Sequence, residues 1–199
     1  MSFNPFALFD LEPAPALDAD ALKERFARLT AETHPDKFQQ APEAERIAVE
    51  TRYADLNRAY QTLTDPRQRL LALYEHAKGE KPRDVQRIPP GTMDLFVEVG
   101  QLCRDFDQFF ERKRAAGGAL ERAALMGEEL TLQETLMSLR GKLEKWGAAL
   151  EEDLTALDTR WRGGEKDLAA LEAVYRKYSY LSRWRQQLEE REIALLTGE

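Results

Sequence analysis

Thr33-His34-Pro35-Asp36-Lys37-Phe38 parts two stretches of amphipathic helix, and the reading of these six residues decides the fold. Upstream, Leu22, Phe26 and Leu29 recur at steps of four and three, the spacing of one helix face. Asp18 or Asp20 supplies the N-cap, and the helix should end near Thr33. Pro35 stops it, because a proline disfavours the α region for the residue before it. Lys37 to Ala41 reads as loop. Pro42 and Glu43 open a third helix that turns Ile47, Tyr53, Leu56, Tyr60 and Leu63 toward the core. Asp65-Pro66 ends it and starts a short fourth helix through Leu70, Leu71 and Tyr74. Further upstream, Asn4 and Pro5 cap and open a first helix over Pro5 to Leu11, followed by the turn Glu12-Pro13-Ala14-Pro15.

Downstream, residues 78–92 hold three prolines and two glycines and read as a linker. Beyond it a helix over 94–114 places Phe96, Val99, Leu102, Phe106 and Phe109 on one stripe, with Leu95, Cys103 and Phe110 beside it. Gly117-Gly118 breaks it, and Ala119 to Met126 forms a short helical piece. Thr131 with Glu134 fits a capping box that opens the next long helix, which carries Leu132, Leu136, Leu139, Leu143, Trp146, Leu150, Leu154, Leu157 and Trp161. After the turn Gly163-Gly164, a helix from Glu165 to about Leu196 repeats the pattern with Leu168, Leu171, Tyr175, Tyr178, Leu181, Trp184 and Leu188. Strand-like alternation is missing. The expected fold is all-α, a helical hairpin around a His-Pro-Asp loop followed by a three-helix antiparallel bundle.

Composition excludes several functions. With 29 basic and 36 acidic residues the net charge is -7 and the sequence pI about 5.1, which argues against broad nucleic-acid binding. No run approaches the roughly 18 apolar residues of a membrane span, and no secretory signal is visible at the start. The single Cys103 excludes an internal disulfide and points to a reducing, cytoplasmic setting. Two histidines, His34 and His76, with one cysteine make no metal cluster, so neither metal nor other cofactor is expected. Cys103 sits at helical spacing beside Val99, Phe106 and Phe110, as a half-buried core thiol would, with no base to make it a nucleophile.

Alone, His34-Pro35-Asp36 is a turn made of ordinary turn residues. Between these helices, with Asn57-Arg58-Ala59-Tyr60-Gln61-Thr62-Leu63-Thr64-Asp65-Pro66 closing the third, the chain resembles the J-domain family over residues 1–77. The resemblance implies no catalysis. It implies docking on a DnaK- or HscA-type chaperone whose ATP hydrolysis is stimulated, with His34, Pro35 and Asp36 as the functional tripeptide. Lys37 in the loop and Lys23, Arg25 and Arg28 on the second helix would supply docking charge. Pro35 has a fixed φ and so aims its neighbours at low entropic cost, and Asp36 can meet a partner arginine in a charge-assisted bond. Thr33 stands where many J domains carry Tyr, and Glu24 and Glu32 make the second helix less basic than usual.

The whole chain looks like the HscB-type co-chaperones of iron–sulfur cluster biogenesis: a J domain at the start, a linker at 78–92, and a client-binding bundle at 93–199. The resemblance implies an IscU-type scaffold protein as client, held by Leu95, Phe96 and Val97 on the first bundle helix and by Tyr180 on the last. Alternatively these residues are bundle core. Gly100 falls where the family usually has a large apolar residue, and Gln101, Arg104 and Gln108 replace acids. Two other readings therefore stay open, a J protein with a client outside iron–sulfur chemistry and a helical scaffold with a vestigial tripeptide.

Overall fold

The computed structural model describes residues 3–82 and 88–197. The chain is α-helical, without a strand among the described residues. Helices α1 (Pro5–Leu8), α2 (Ala19–Glu32), α3 (Glu43–Thr64), α4 (Pro66–Lys78), α5 (Met93–Ala115), α6 (Ala119–Arg162) and α7 (Leu168–Thr197) follow one another, with a 3-10 turn over Pro35–Phe38. Carboxylates and amides define several starts. Asn4 Oδ1 accepts from the Phe6 and Ala7 N–H groups, Asp18 caps α2, Asp65 accepts from the Gln68 N–H, and Asp167 accepts from Ala169 and Ala170. The first helix is one turn shorter at its end than its apolar pattern suggests, because Asp10 turns the chain at φ 48°.

Two compact units emerge, Met1–Asp84 with Asp153–Tyr175, and Val85–Glu152 with Arg176–Glu199. Residues 83–87 of the linker expected at 78–92 lie outside the described residues.

The first unit packs Phe6, Phe9, Leu22, Leu56, Ala59, Leu63, Leu70 and Leu73 into one core. Phe26 stacks on Tyr60 with ring centroids 4.2 Å apart. Ile47 departs from the expected core: it is 55% exposed. It precedes Leu56 by nine residues, which at about 100° per residue is half a turn away from the buried face. Arg69 is buried because its guanidinium ties two backbone segments, donating from Nε to the Pro15 carbonyl (2.8 Å) and from Nη1 to that of Leu63 (2.6 Å).

This unit also contains the α6–α7 turn. Trp161 is buried and donates its indole N–H to the Pro13 carbonyl at 3.2 Å. Asp158 accepts the Ala16 N–H at 3.0 Å, and Arg162 donates to the Ala16 carbonyl at 2.9 Å while pairing with Asp158 at 2.7 Å. The Glu12-to-Ala16 turn is thus satisfied in part by side chains more than 140 residues away, with Arg69 on the Pro15 carbonyl.

In the second unit Val99, Leu102, Phe106, Phe109 and Phe110 of α5 are buried, as are Leu132, Leu136, Leu139, Leu143 and Leu150 of α6, and Leu181, Trp184 and Leu188 of α7. Ion pairs Glu98–Lys142, Arg112–Glu128, Arg140–Glu192 and Asp107–Arg191 link neighbouring helices. Thr131 opens no helix. It lies inside α6, where its hydroxyl donates back to the Gly127 carbonyl (3.1 Å), and α6 runs unbroken over 44 residues.

Candidate functional site

The His-Pro-Asp loop is built by local chemistry. Thr33 closes α2, its N–H and hydroxyl both donating to the Leu29 carbonyl. His34 takes φ -67° and ψ 126°, the extended conformation that a following proline imposes. It then caps the 3-10 turn: the Asp36 N–H donates to His34 Nδ1 (3.3 Å), and the Lys37 N–H donates to the His34 carbonyl (3.0 Å). An Nδ1 that accepts an N–H carries no proton of its own, so in the neutral ring Nε2–H is the donor left over. Tyr53 of α3 meets the imidazole edge-on at 5.5 Å. The ring is therefore held from two sides while 45% of the side chain stays exposed, and Asp36 is 75% exposed with Oδ2 3.5 Å from Nδ1.

The expected docking cations divide into two kinds. Lys23, Arg28 and Lys37 are exposed. Arg25 is half-buried and folded onto Asp10, donating to its carbonyl at 2.9 Å and approaching its carboxylate at 3.5 Å. It holds the left-handed residue that ends α1, a structural task its basic character did not reveal.

On α5, Phe96 leaves the core stripe on which the sequence pattern places it. Phe96 and Val97 are 43% and 55% exposed. Leu95 is half-buried and shares the face of Val99, about 40° away, whereas Phe96 stands about 60° off on the other side. Met93 is 56% exposed and falls three and four residues before Phe96 and Val97, so it joins them. Only that spacing marks Met93 in the sequence, since its residue type suits a core position equally well. Tyr180 is half-buried, edge-on to Trp184 at 5.4 Å, with the Arg183 guanidinium 5.7 Å above its ring. Cys103 is half-buried, and burial raises the pKa of its thiol, which makes it a poor nucleophile.

Among the described residues no group of three or more His, Cys, Asp or Glu side chains could hold a metal, and no helix is long and apolar enough to cross a membrane.

Residues 7–72 match the family model of the DnaJ domain. This segment is a J domain. Over nearly its full length the chain also shares the fold of two solved chaperones. The chaperone HscB from Vibrio cholerae is 23% identical, with TM-score 0.63 over 96% of this chain and 99% of that one. The human co-chaperone HscB is 19% identical, with TM-score 0.64 over 95% of this chain and 82% of that one. The J domain comprises α1 to the middle of α4, with the tripeptide between its two longest helices.

Proposed function

We propose that this J-domain protein is a co-chaperone of the HscB kind, acting on a DnaK- or HscA-type ATPase and bringing it an IscU-type iron–sulfur scaffold in the cytoplasm. One observation carries the reading: a single chain joins an exposed, pre-shaped His-Pro-Asp loop to a helix whose exposed face is apolar at Met93, Phe96 and Val97.

Each half has a physical rationale. The loop presents Asp36 as a carboxylate for a charge-assisted bond and His34 as a donor whose direction is already set, so little ordering entropy is lost on docking. Lys23, Arg28 and Lys37 add positive charge that steers approach to an acidic surface. Arg25 contributes by keeping the start of α2 in place, and any direct contact would require it to leave Asp10. The exposed apolar side chains of α5 are the type of surface that marks a partner site. Because one chain holds both partners, the second encounter is intramolecular and gains effective concentration. Leu95 borders these side chains on α5, and Tyr180 of α7, half-buried against Trp184, joins the proposed client residues on the family resemblance.

The chemistry of ATP cleavage belongs to the partner, and this chain contributes binding and orientation. A non-iron–sulfur client would use the same loop and differ only at α5, where Gln101, Arg104 and Gln108 depart from the acidic family pattern. The test is single-turnover ATP hydrolysis by a purified DnaK- or HscA-type chaperone, with this protein and an IscU-type scaffold added in turn. Acceleration by the protein, increased further by the scaffold, is expected. Failure to accelerate would overturn the chaperone half, and acceleration indifferent to scaffold would overturn the client half.

A further inference from the structure

The exposed face of α5 changes character after one turn and a half. Met93, Val97, Gly100 and Arg104 fall within an arc of about 60°, with Phe96 at its edge. Gly100 leaves a gap in that row, and the Arg104 guanidinium folds back over it. Nη1 lies 3.5 Å from where a Cβ at position 100 would stand. Nη2 donates to Gln101 Oε1 at 2.7 Å, and Gln101 Nε2 donates in turn to Asp105 Oδ1 at 2.7 Å. Gln101 thereby holds the Arg104 guanidinium back along the helix, over Gly100.

The acids nearest Arg104 are engaged. Glu98 is paired with Lys142 at 2.6 Å. Asp105 lines the groove between α5 and α6, with Glu134 and Lys142 across from it. Asp94 is exposed in the first turn of α5, about 100° round the helix from Met93 but only about 60° from Val97, and Asp107, three residues beyond Arg104, is paired with Arg191 at 2.9 Å. One turn beyond Arg104 the row continues with the neutral Gln108. The apolar patch is thus bordered by an acid, Asp94, at the start of α5 and by a cation, Arg104, at its far end. The Arg104 guanidinium has five N–H donors and uses one on Gln101.

We infer that the partner seated on this face presents a carboxylate beside its apolar contact, and that Arg104, held over Gly100 by Gln101, selects for that carboxylate. The inference rests on the client-surface reading above and adds the chemistry of the surface that fits it. An arginine fork next to exposed aromatic and aliphatic groups matches carboxylate geometry, and arginine is weakly hydrated enough to enter an interface.

The experiment is equilibrium binding of a purified IscU-type scaffold to the full chain at low and high ionic strength. Wild type should bind and weaken with salt. Arg104→Glu should raise Kd about tenfold or more, and Arg104→Gln should give a smaller rise together with a flattened salt dependence. Both variants should keep the wild-type melting temperature, since the side chain is exposed. Tighter binding by Arg104→Glu would mean a basic partner surface, and unchanged binding would put Arg104 outside the interface. Either result overturns the inference while the client reading stands. Absence of scaffold binding by wild type removes that reading and the inference with it.

Discussion

The His-Pro-Asp loop and the outward face of α5 are both exposed, yet they come about in opposite ways. In the loop, Pro35 restricts His34, His34 Nδ1 receives the Asp36 N–H, and the His34 carbonyl receives the Lys37 N–H. All of this lies within four residues, and Tyr53 adds the one ring contact from outside. On α5 nothing local distinguishes Phe96 from Phe106 or Phe109. Phe96 is exposed and the others buried only because of where each stands around the helix. A loop of the first kind should lose function without losing stability, whereas on α5 a shift of one residue converts a binding change into a folding change.

The largest effect should follow His34→Gln. Stimulation of the chaperone ATPase should fall to background in the single-turnover assay. Losing the Nδ1 bond and the tyrosine edge contact should cost at most about 1 kcal/mol in denaturant unfolding. Retained stimulation would mean that the loop is not the docking element. Next comes Trp161→Ala. Trp161 is 4% exposed, so truncation should cost about 3–5 kcal/mol. It should also speed hydrogen exchange at the Ala16 amide, whose acceptor Asp158 lies one helical turn before Trp161. Exchange unchanged at Ala16 would show that the Glu12-to-Ala16 turn holds without the distant helices.

That dependence marks the limit of what sequence could show. Proline and cap residues act on the nearest few peptides, so the α2 stop, the tripeptide turn and the Asp65-Pro66 junction were legible. The role of Arg25 was not, because its partner Asp10 is defined by a left-handed turn that leaves no compositional trace. Nor was the use of Asp158, Trp161 and Arg162 by the first unit, since their pattern satisfies a bundle helix equally well. Thr131 failed for another reason. A threonine hydroxyl can cap a helix or bond back one turn inside it, and only the continuity of α6 decides between them.

Within the second unit, Tyr180→Ala and Phe96→Ala should separate support from contact. Tyr180 is half-buried against Trp184, so its loss should cost about 1–3 kcal/mol, combining the aromatic pair with removed packing. Phe96→Ala should cost under about 1 kcal/mol and weaken scaffold binding about tenfold, as expected for an exposed aromatic that is buried only in the complex. The reverse pattern, a large stability loss at Phe96 and none at Tyr180, would exchange their roles.

The smallest effect belongs to Gly100→Ala. An added Cβ would meet Arg104 Nη1 at 3.5 Å, an ordinary van der Waals contact, so the guanidinium need not move. Replacing glycine inside a helix removes backbone freedom from the unfolded chain and should stabilise by about 0.5–1 kcal/mol. Scaffold affinity should stay within about twofold, because the methyl lies beneath Arg104 and leaves Phe96 and Val97 as they were. Calorimetry and binding on the same sample check both halves. A stabilised variant with much weaker binding would show that the partner approaches the bare α5 backbone at Gly100. The gap would then be a seat for the partner's atoms and not only for Arg104, and this face would depend on close backbone approach as the loop depends on its turn.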